Sequence, residues 1–247
     1  MKKLYQKSEL GFALAWIGVY VVGTSLADRL SELAGMEKVF SFPFLLLLSL
    51  LALGWGRKNN LLRKYGLCST EIPPAKFMYY LPLLVLVTCN FWYGVRMNLS
   101  PAETALYVGS MICVGFLEEL IFRGFLFRAM CRDGLLSAIV VSSVTFGFGH
   151  IVNLLNGSGM GLVANLCQVC YATAAGFLFV ILFYRGGSLL PCIVVHSAIN
   201  AASVFADEAG RTAKTEIVTA MILTAVSVLY ALALLKTLPR AAEEENI

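Results

Sequence analysis

Two adjacent glutamates and an arginine, Glu118, Glu119 and Arg123, lie inside the apolar run Ala105 to Met130. A charge at the centre of a membrane helix costs about 2.5 kcal/mol or more on insertion scales, so such residues are paired, line a polar cavity or do chemistry. Successive helical residues point about 100° apart, which keeps Glu118 and Glu119 from facing one point. Arg123 follows Glu119 by four residues and Glu118 by five. The four-residue spacing makes Glu119 and Arg123 neighbours on one helix surface, and a bidentate pair between them would cancel two charges. Glu118 has no partner in its own helix and needs one from elsewhere in the chain.

The chain has two histidines, and both fall in apolar runs. His150 closes Phe146-Gly147-Phe148-Gly149-His150, where Phe146 sits one turn back and could wall a site. Gly147 and Gly149 allow close helix approach or a local distortion. His196 and Asn200 are one turn apart and project from one face. A carboxylate with two imidazoles supports hydrolysis. The glutamate takes a proton from water and passes it to a leaving amine, while one histidine holds the water. His196 with Asn200 can donate hydrogen bonds to a developing oxyanion. Glu118, His150 and His196 would serve equally as ligands of a divalent metal such as zinc. The residue types do not choose between a metal-bound water and a metal-free glutamate route, so the cofactor stays open and no metal ligand is committed.

These residues must be carried by membrane helices. Of 247 residues, 59% are hydrophobic and 14% charged, against roughly 25% charged in soluble domains, and mean hydropathy is +0.78. The expected fold is all-α: a polytopic membrane helical bundle of about eight transmembrane helices, forming a single domain over residues 1–247. A span needs about 20 residues. The eight runs are Leu10 to Ala27, Phe40 to Gly56, Phe77 to Gly94, Ala105 to Met130, Leu135 to Leu155, Gly161 to Tyr184, Ser188 to Phe205 and Glu216 to Leu235. A turn at Asn156-Gly157-Ser158-Gly159 follows the fifth, and Pro239 with Glu243-Glu244-Glu245 marks a solvated tail. The start, Met1 to Lys7, offers no small-residue cleavage site after the first run, which is read as retained.

With the N-terminus in the cytoplasm, the inside segments hold Lys2, Lys3, Lys7, Arg57, Lys58, Arg63, Lys64, Lys76, Arg128, Arg132, Arg185, Lys236 and Arg240. The outside segments hold Arg29, Lys38, Arg96, Arg211 and Lys214. This bias places both termini in the cytoplasm of a multi-pass protein of the cell membrane. The longest non-spanning stretch, Arg57 to Lys76, falls on the cytoplasmic side, where it could lie along the membrane surface. On this layout Glu118 lies ~15 Å, His196 ~12 Å and His150 ~22 Å from the cytoplasmic ends. The mismatch calls for tilt, a deeper start to the fifth helix, or unwinding at the glycines. No basic patch interleaved with aromatics points to nucleic acid. Seven cysteines include the pair Cys167 and Cys170, read as small buried helix thiols rather than a redox or metal motif.

Taken together, Glu118-Glu119-x-x-x-Arg123, Phe146-x-x-x-His150 and His196-x-x-x-Asn200 resemble the three ordered motifs of the CPBP family, the CAAX-protease and bacteriocin-processing (Abi) group of intramembrane endopeptidases. The motifs run from residue 118 to 200. The resemblance implies a cavity open to membrane and cytoplasm. It implies Glu118 as catalytic base aided by His150, His196 and Asn200 as oxyanion donors, and Glu119 and Arg123 as support. The family carries a metalloprotease label, and a metal-free glutamate mechanism has been argued for its eukaryotic branch. Its partners are a peptide or membrane-protein substrate and the lipid bilayer; the oligomeric state is not implied. Glu-Glu-Leu-Ile-Phe-Arg-Gly is similar to the form in bacterial members, and a bacterial source is expected. The family also includes non-catalytic scaffolds and immunity proteins that keep the fold and bind a partner. A transporter with an intramembrane proton relay is a weaker reading, since spans one, two, three and eight offer few interior charges.

Overall fold

The computed structural model describes residues 1–155, 161–207, 209 and 211–238. The expected turn at 156–159, Pro239, Arg240 and the acidic tail at 243–245 lie outside them. Among the described residues the chain is all-helical, and its one β pairing is an isolated bridge between Val95 and Ala206. The helices are α1 (Lys2–Lys7), α2 (Glu9–Leu33), α3 (Ser41–Lys58), α4 (Leu81–Thr88), α5 (Pro101–Glu118), α6 (Leu135–Gly149), α7 (Leu162–Gly186), α8 (Leu190–Ala202) and α9 (Ala213–Thr237). Past Glu118 the chain does not leave the helix axis. Glu119–Phe127 winds as a π-helix and Arg128–Met130 returns to α.

Among the described residues, five helices are long and apolar enough to cross a membrane: Glu9–Leu33, Pro101–Asp133, Leu135–Leu154, Leu162–Gly186 and Ala213–Thr237. The other three expected spans are helical but fall short of that standard. Ser41–Lys58 ends on the basic pair Arg57 and Lys58. Leu190–Phe205 is a shorter apolar helix that starts at a proline turn. The third run is broken. Met78, Tyr79 and Tyr80 take φ of 53°, 52° and 58°, a left-handed region that non-glycine residues seldom occupy. Only from Leu81 does α4 form, with Pro82 in its first turn, where a missing N–H costs no helix bond.

The long helices show one buried face. On α2, Phe12, Trp16, Tyr20, Ala27 and Ser31 are buried at near-helical spacing, while Leu14, Val22, Leu26 and Leu30 stand exposed. An outward row of leucines and valines suits lipid. Because lipid is as apolar as leucine, association between such helices relies on close packing at small residues. A Cβ on Gly115 of α5 would meet the Ser197 backbone nitrogen of α8 at 2.6 Å, and one on Gly147 of α6 would meet Thr173 Cα of α7 at 2.9 Å. Ser197 Oγ also donates to the Ile112 carbonyl at 3.2 Å. Thus α5 and α8, and α6 and α7, approach closely, and these four helices carry the three motifs or brace them.

Polar groups gather at the two ends. At one, Glu9 accepts from Lys64 at 2.7 Å and from Arg132 at 2.9 Å, joining the start of α2, the loop after α3 and the end of the fourth run. At the other, Asp28 accepts from Lys38 at 2.9 Å and from Ser41, and Glu103 accepts from the Glu37 backbone at 3.2 Å. Burial opposes charge on Lys38, but the Asp28 carboxylate and its hydrogen bond outweigh that and hold the ammonium above its ordinary range. The stretch after α3 is tied to the start of α8. Leu189 N donates to the Gly66 carbonyl at 2.8 Å, and Ser188 Oγ donates to the Cys68 carbonyl at 2.6 Å.

Candidate active site

The acidic pair sits where α5 becomes the π segment. A π turn closes i to i+5 bonds, is rare, and often marks functional sites. Here all nine residues, Glu119 to Phe127, are buried. Such winding loosens the carbonyl ladder, and Ser142 of α6 supplies a substitute, donating to the Phe122 carbonyl at 2.8 Å.

The two glutamates occupy different surroundings. Glu119 and Arg123 have no exposed side-chain surface, and Arg123 Nη1 lies 3.2 Å from Glu119 Oε1. The expected pairing is therefore present, but it is not bidentate. Among the described residues, Glu119 Oε2 and the Arg123 nitrogens make no aligned hydrogen bond. The guanidinium instead lies 4.0 Å from the centroid of the Phe146 ring and 5.6 Å from that of Phe179. Stacking on two rings is an arrangement arginine's weakly hydrated plane accepts and lysine's ammonium does not. Phe146 also meets the rings of His150 and His196 at 5.2 and 5.6 Å.

Glu118 keeps 15% of its side chain exposed. Its partners come from two distant helices. Tyr20 Oη of α2 donates to Oε1 at 2.6 Å, and His196 Nε2 of α8 lies 3.5 Å from Oε2. The other nitrogen of the same ring, Nδ1, is 2.7 Å from Glu119 Oε1. The imidazole is therefore wedged between the two carboxylates. A carboxylate oxygen beside Arg123 accepts, so Nδ1 carries the proton and Nε2 faces Glu118.

His150 stands further off. It follows the last residue of α6, and its Nδ1 pairs with the Phe146 carbonyl at 3.1 Å. Turns in which His150 N donates to the Gly147 carbonyl and Ile151 N to the Phe148 carbonyl tighten the chain there. It lies within electrostatic range of Glu118, His196 and Arg123. Asn165 of α7 donates to its carbonyl at 2.9 Å and fixes this corner. Asn200 lies one turn beyond His196. Its carbonyl accepts from Ser203 Oγ at 2.6 Å, and its amide has no partner among the described residues. Cys167 and Cys170 are reduced, half-buried and exposed respectively, which corrects the expectation of buried thiols.

Tyr20 is the site residue that sequence reasoning missed. A tyrosine hydroxyl within an apolar run needs a partner, and from Leu10 it lies ~15 Å along the helix, level with Glu118. Depth matching was the available signal.

A metal would need at least three free donors converging. Among the described residues no three His, Cys, Asp or Glu side chains form such a group. His196 Nδ1 is held by Glu119, His150 Nδ1 meets a carbonyl and Glu118 Oε1 takes the tyrosine. These bonds leave His196 Nε2, His150 Nε2 and Glu118 Oε2 on the unengaged side of each group, the pattern that metal-binding histidines also show, so the donors alone choose neither a metal-bound nor a metal-free water.

Residues 100–202 match the family model described as type II CAAX prenyl endopeptidase Rce1-like. No curated protein and no solved structure matches the chain. The matched segment is less than half of the chain but contains all three motifs. Over that segment the chain is similar to the type II CAAX prenyl endopeptidase family.

Proposed function

We propose that the chain is an intramembrane endopeptidase that hydrolyses a peptide bond with a water activated by Glu118. The observation that carries this is the division between the glutamates: Glu118 is partly accessible and held from outside its helix, whereas Glu119 is sealed against Arg123. Glu118 Oε2 takes a proton from water, and the water oxygen attacks the scissile carbonyl carbon. His150, its Nδ1–H directed at the Phe146 carbonyl, offers Nε2 to hold that water. The Asn200 amide stabilises the oxyanion, joined by His196 Nε2–H when the imidazole between the two carboxylates carries a second proton beside the one on Nδ1. When the carbon–nitrogen bond breaks, Glu118 returns its proton to the leaving amine. Glu119 and Arg123 hold His196 in place. The end bearing Glu9, Lys64 and Arg132 faces the cytoplasm, with both termini there, and residues 1–247 act as one domain.

The test is to incubate purified protein with membrane peptides and compare wild type with Glu118→Gln. Cleavage by wild type alone supports the reading. Binding of a partner without cleavage by either form supports a scaffold instead.

A further inference from the structure

We propose that Tyr20 is a positioning residue for Glu118, an inference that rests on the peptidase reading above. Tyr20 lies in α2, 98 positions from Glu118, outside the three motifs and outside the matched segment. Its side chain is buried, in a cluster with Phe12, Trp16, Leu117, Ile121 and Phe125. Packing against the π segment therefore fixes where the hydroxyl points.

At 2.6 Å the contact has the length of an O–H···O⁻ bond to an ionised carboxylate. The groups that meet the Glu118 carboxylate are Tyr20 from α2 and His196 from α8, with Glu119 and Arg123 of its own helix engaged with each other. Of these, only Tyr20 makes a short hydrogen bond to it. Two consequences follow from the geometry. Oε1 is occupied, so Oε2 is the oxygen left to accept a proton from water. And the carboxylate is kept 3.5 Å from His196 Nε2, rather than closing onto it as an ion pair that would shut out the water. Tyr20 does not touch the reacting atoms; it holds the base in the orientation that leaves Oε2 available.

Tyr20→Phe removes one oxygen and keeps the ring, so the bundle should still assemble. Its kcat on a cleavable membrane peptide should fall roughly ten- to a hundred-fold, as expected for a lost charged hydrogen bond and a misplaced base. KM should hold within about two-fold, because substrate contacts are untouched. The thermal midpoint in detergent should match wild type. The carboxylate infrared band that disappears in Glu118→Gln should shift in Tyr20→Phe. If wild type cleaves, Glu118→Gln does not, and Tyr20→Phe keeps full kcat, the positioning role is overturned while the peptidase reading stands. A lower midpoint with unchanged kcat per folded molecule makes Tyr20 structural and also overturns it. An unshifted band overturns the hydrogen bond itself, whether or not the chain cleaves a peptide. A wild type that cleaves nothing overturns the peptidase reading, and the positioning role with it.

Discussion

Glu119 and His196, 77 positions apart, meet at 2.7 Å inside the bundle, and the oxygen that accepts from the imidazole is the one nearest Arg123. One buried carboxylate thus neutralises a guanidinium and orients the histidine. This couples α8 to the π segment, so damage to the ion pair reaches the site through His196.

Arg123 is the first place to test that coupling. Arg123→Lys keeps the charge but loses the plane stacked 4.0 Å from Phe146. A desolvated cation–π contact is worth about 2 kcal/mol. The thermal midpoint in detergent should fall, and turnover should fall with it as His196 loosens. An unchanged midpoint would show that the charge alone suffices.

Asn200 should behave in the opposite way. Its amide has no partner among the described residues, so Asn200→Ala should leave the midpoint unchanged. Removing one oxyanion donor typically lowers kcat by about 10²–10³. Measuring kcat and KM separately checks this, and a variant with wild-type kcat would remove Asn200 from the site.

The start of α5 should depend on Glu103. Its carboxylate accepts from the Ser100 hydroxyl at 2.6 Å and from the backbone amides of Glu37 and Ser100 at 3.2 and 3.3 Å. Losing such a cap costs about 1 kcal/mol. Glu103→Ala should therefore lower the thermal midpoint in detergent while leaving turnover per folded molecule unchanged. An unchanged midpoint would show that the cap contributes nothing to the fold.

What the sequence disclosed depended on spacing. The i, i+4 separation of Glu119 and Arg123 is a property of the local helix and survived the π winding, and the periodic apolar runs announced the bundle. The His196 contact needed only the scarcity of polar partners. Three features were not legible, each set by tertiary packing. Tyr20 is one aromatic among several on α2 until its depth is matched to Glu118. The π turn depends on a carbonyl partner, Ser142, supplied by another helix. The break at Met78 to Tyr80 precedes a proline that the apolar run Phe77 to Gly94 concealed. Hydropathy alone read that run as a span.

The most direct test of the account compares Glu118→Gln with Glu119→Gln, measuring turnover of one cleavable peptide beside the thermal midpoint. Glu118 is partly exposed, and glutamine there can still accept from Tyr20, so its variant should fold as wild type or better. Its turnover should fall by about 10²–10⁴, the usual loss for a general acid–base group. Glu119→Gln leaves Arg123 buried and uncompensated, which costs about 3–5 kcal/mol in soluble proteins. It should accumulate poorly while keeping some activity per folded molecule. A stable, inactive Glu119→Gln beside an active Glu118→Gln would contradict the account and exchange the roles of base and ion-pair partner.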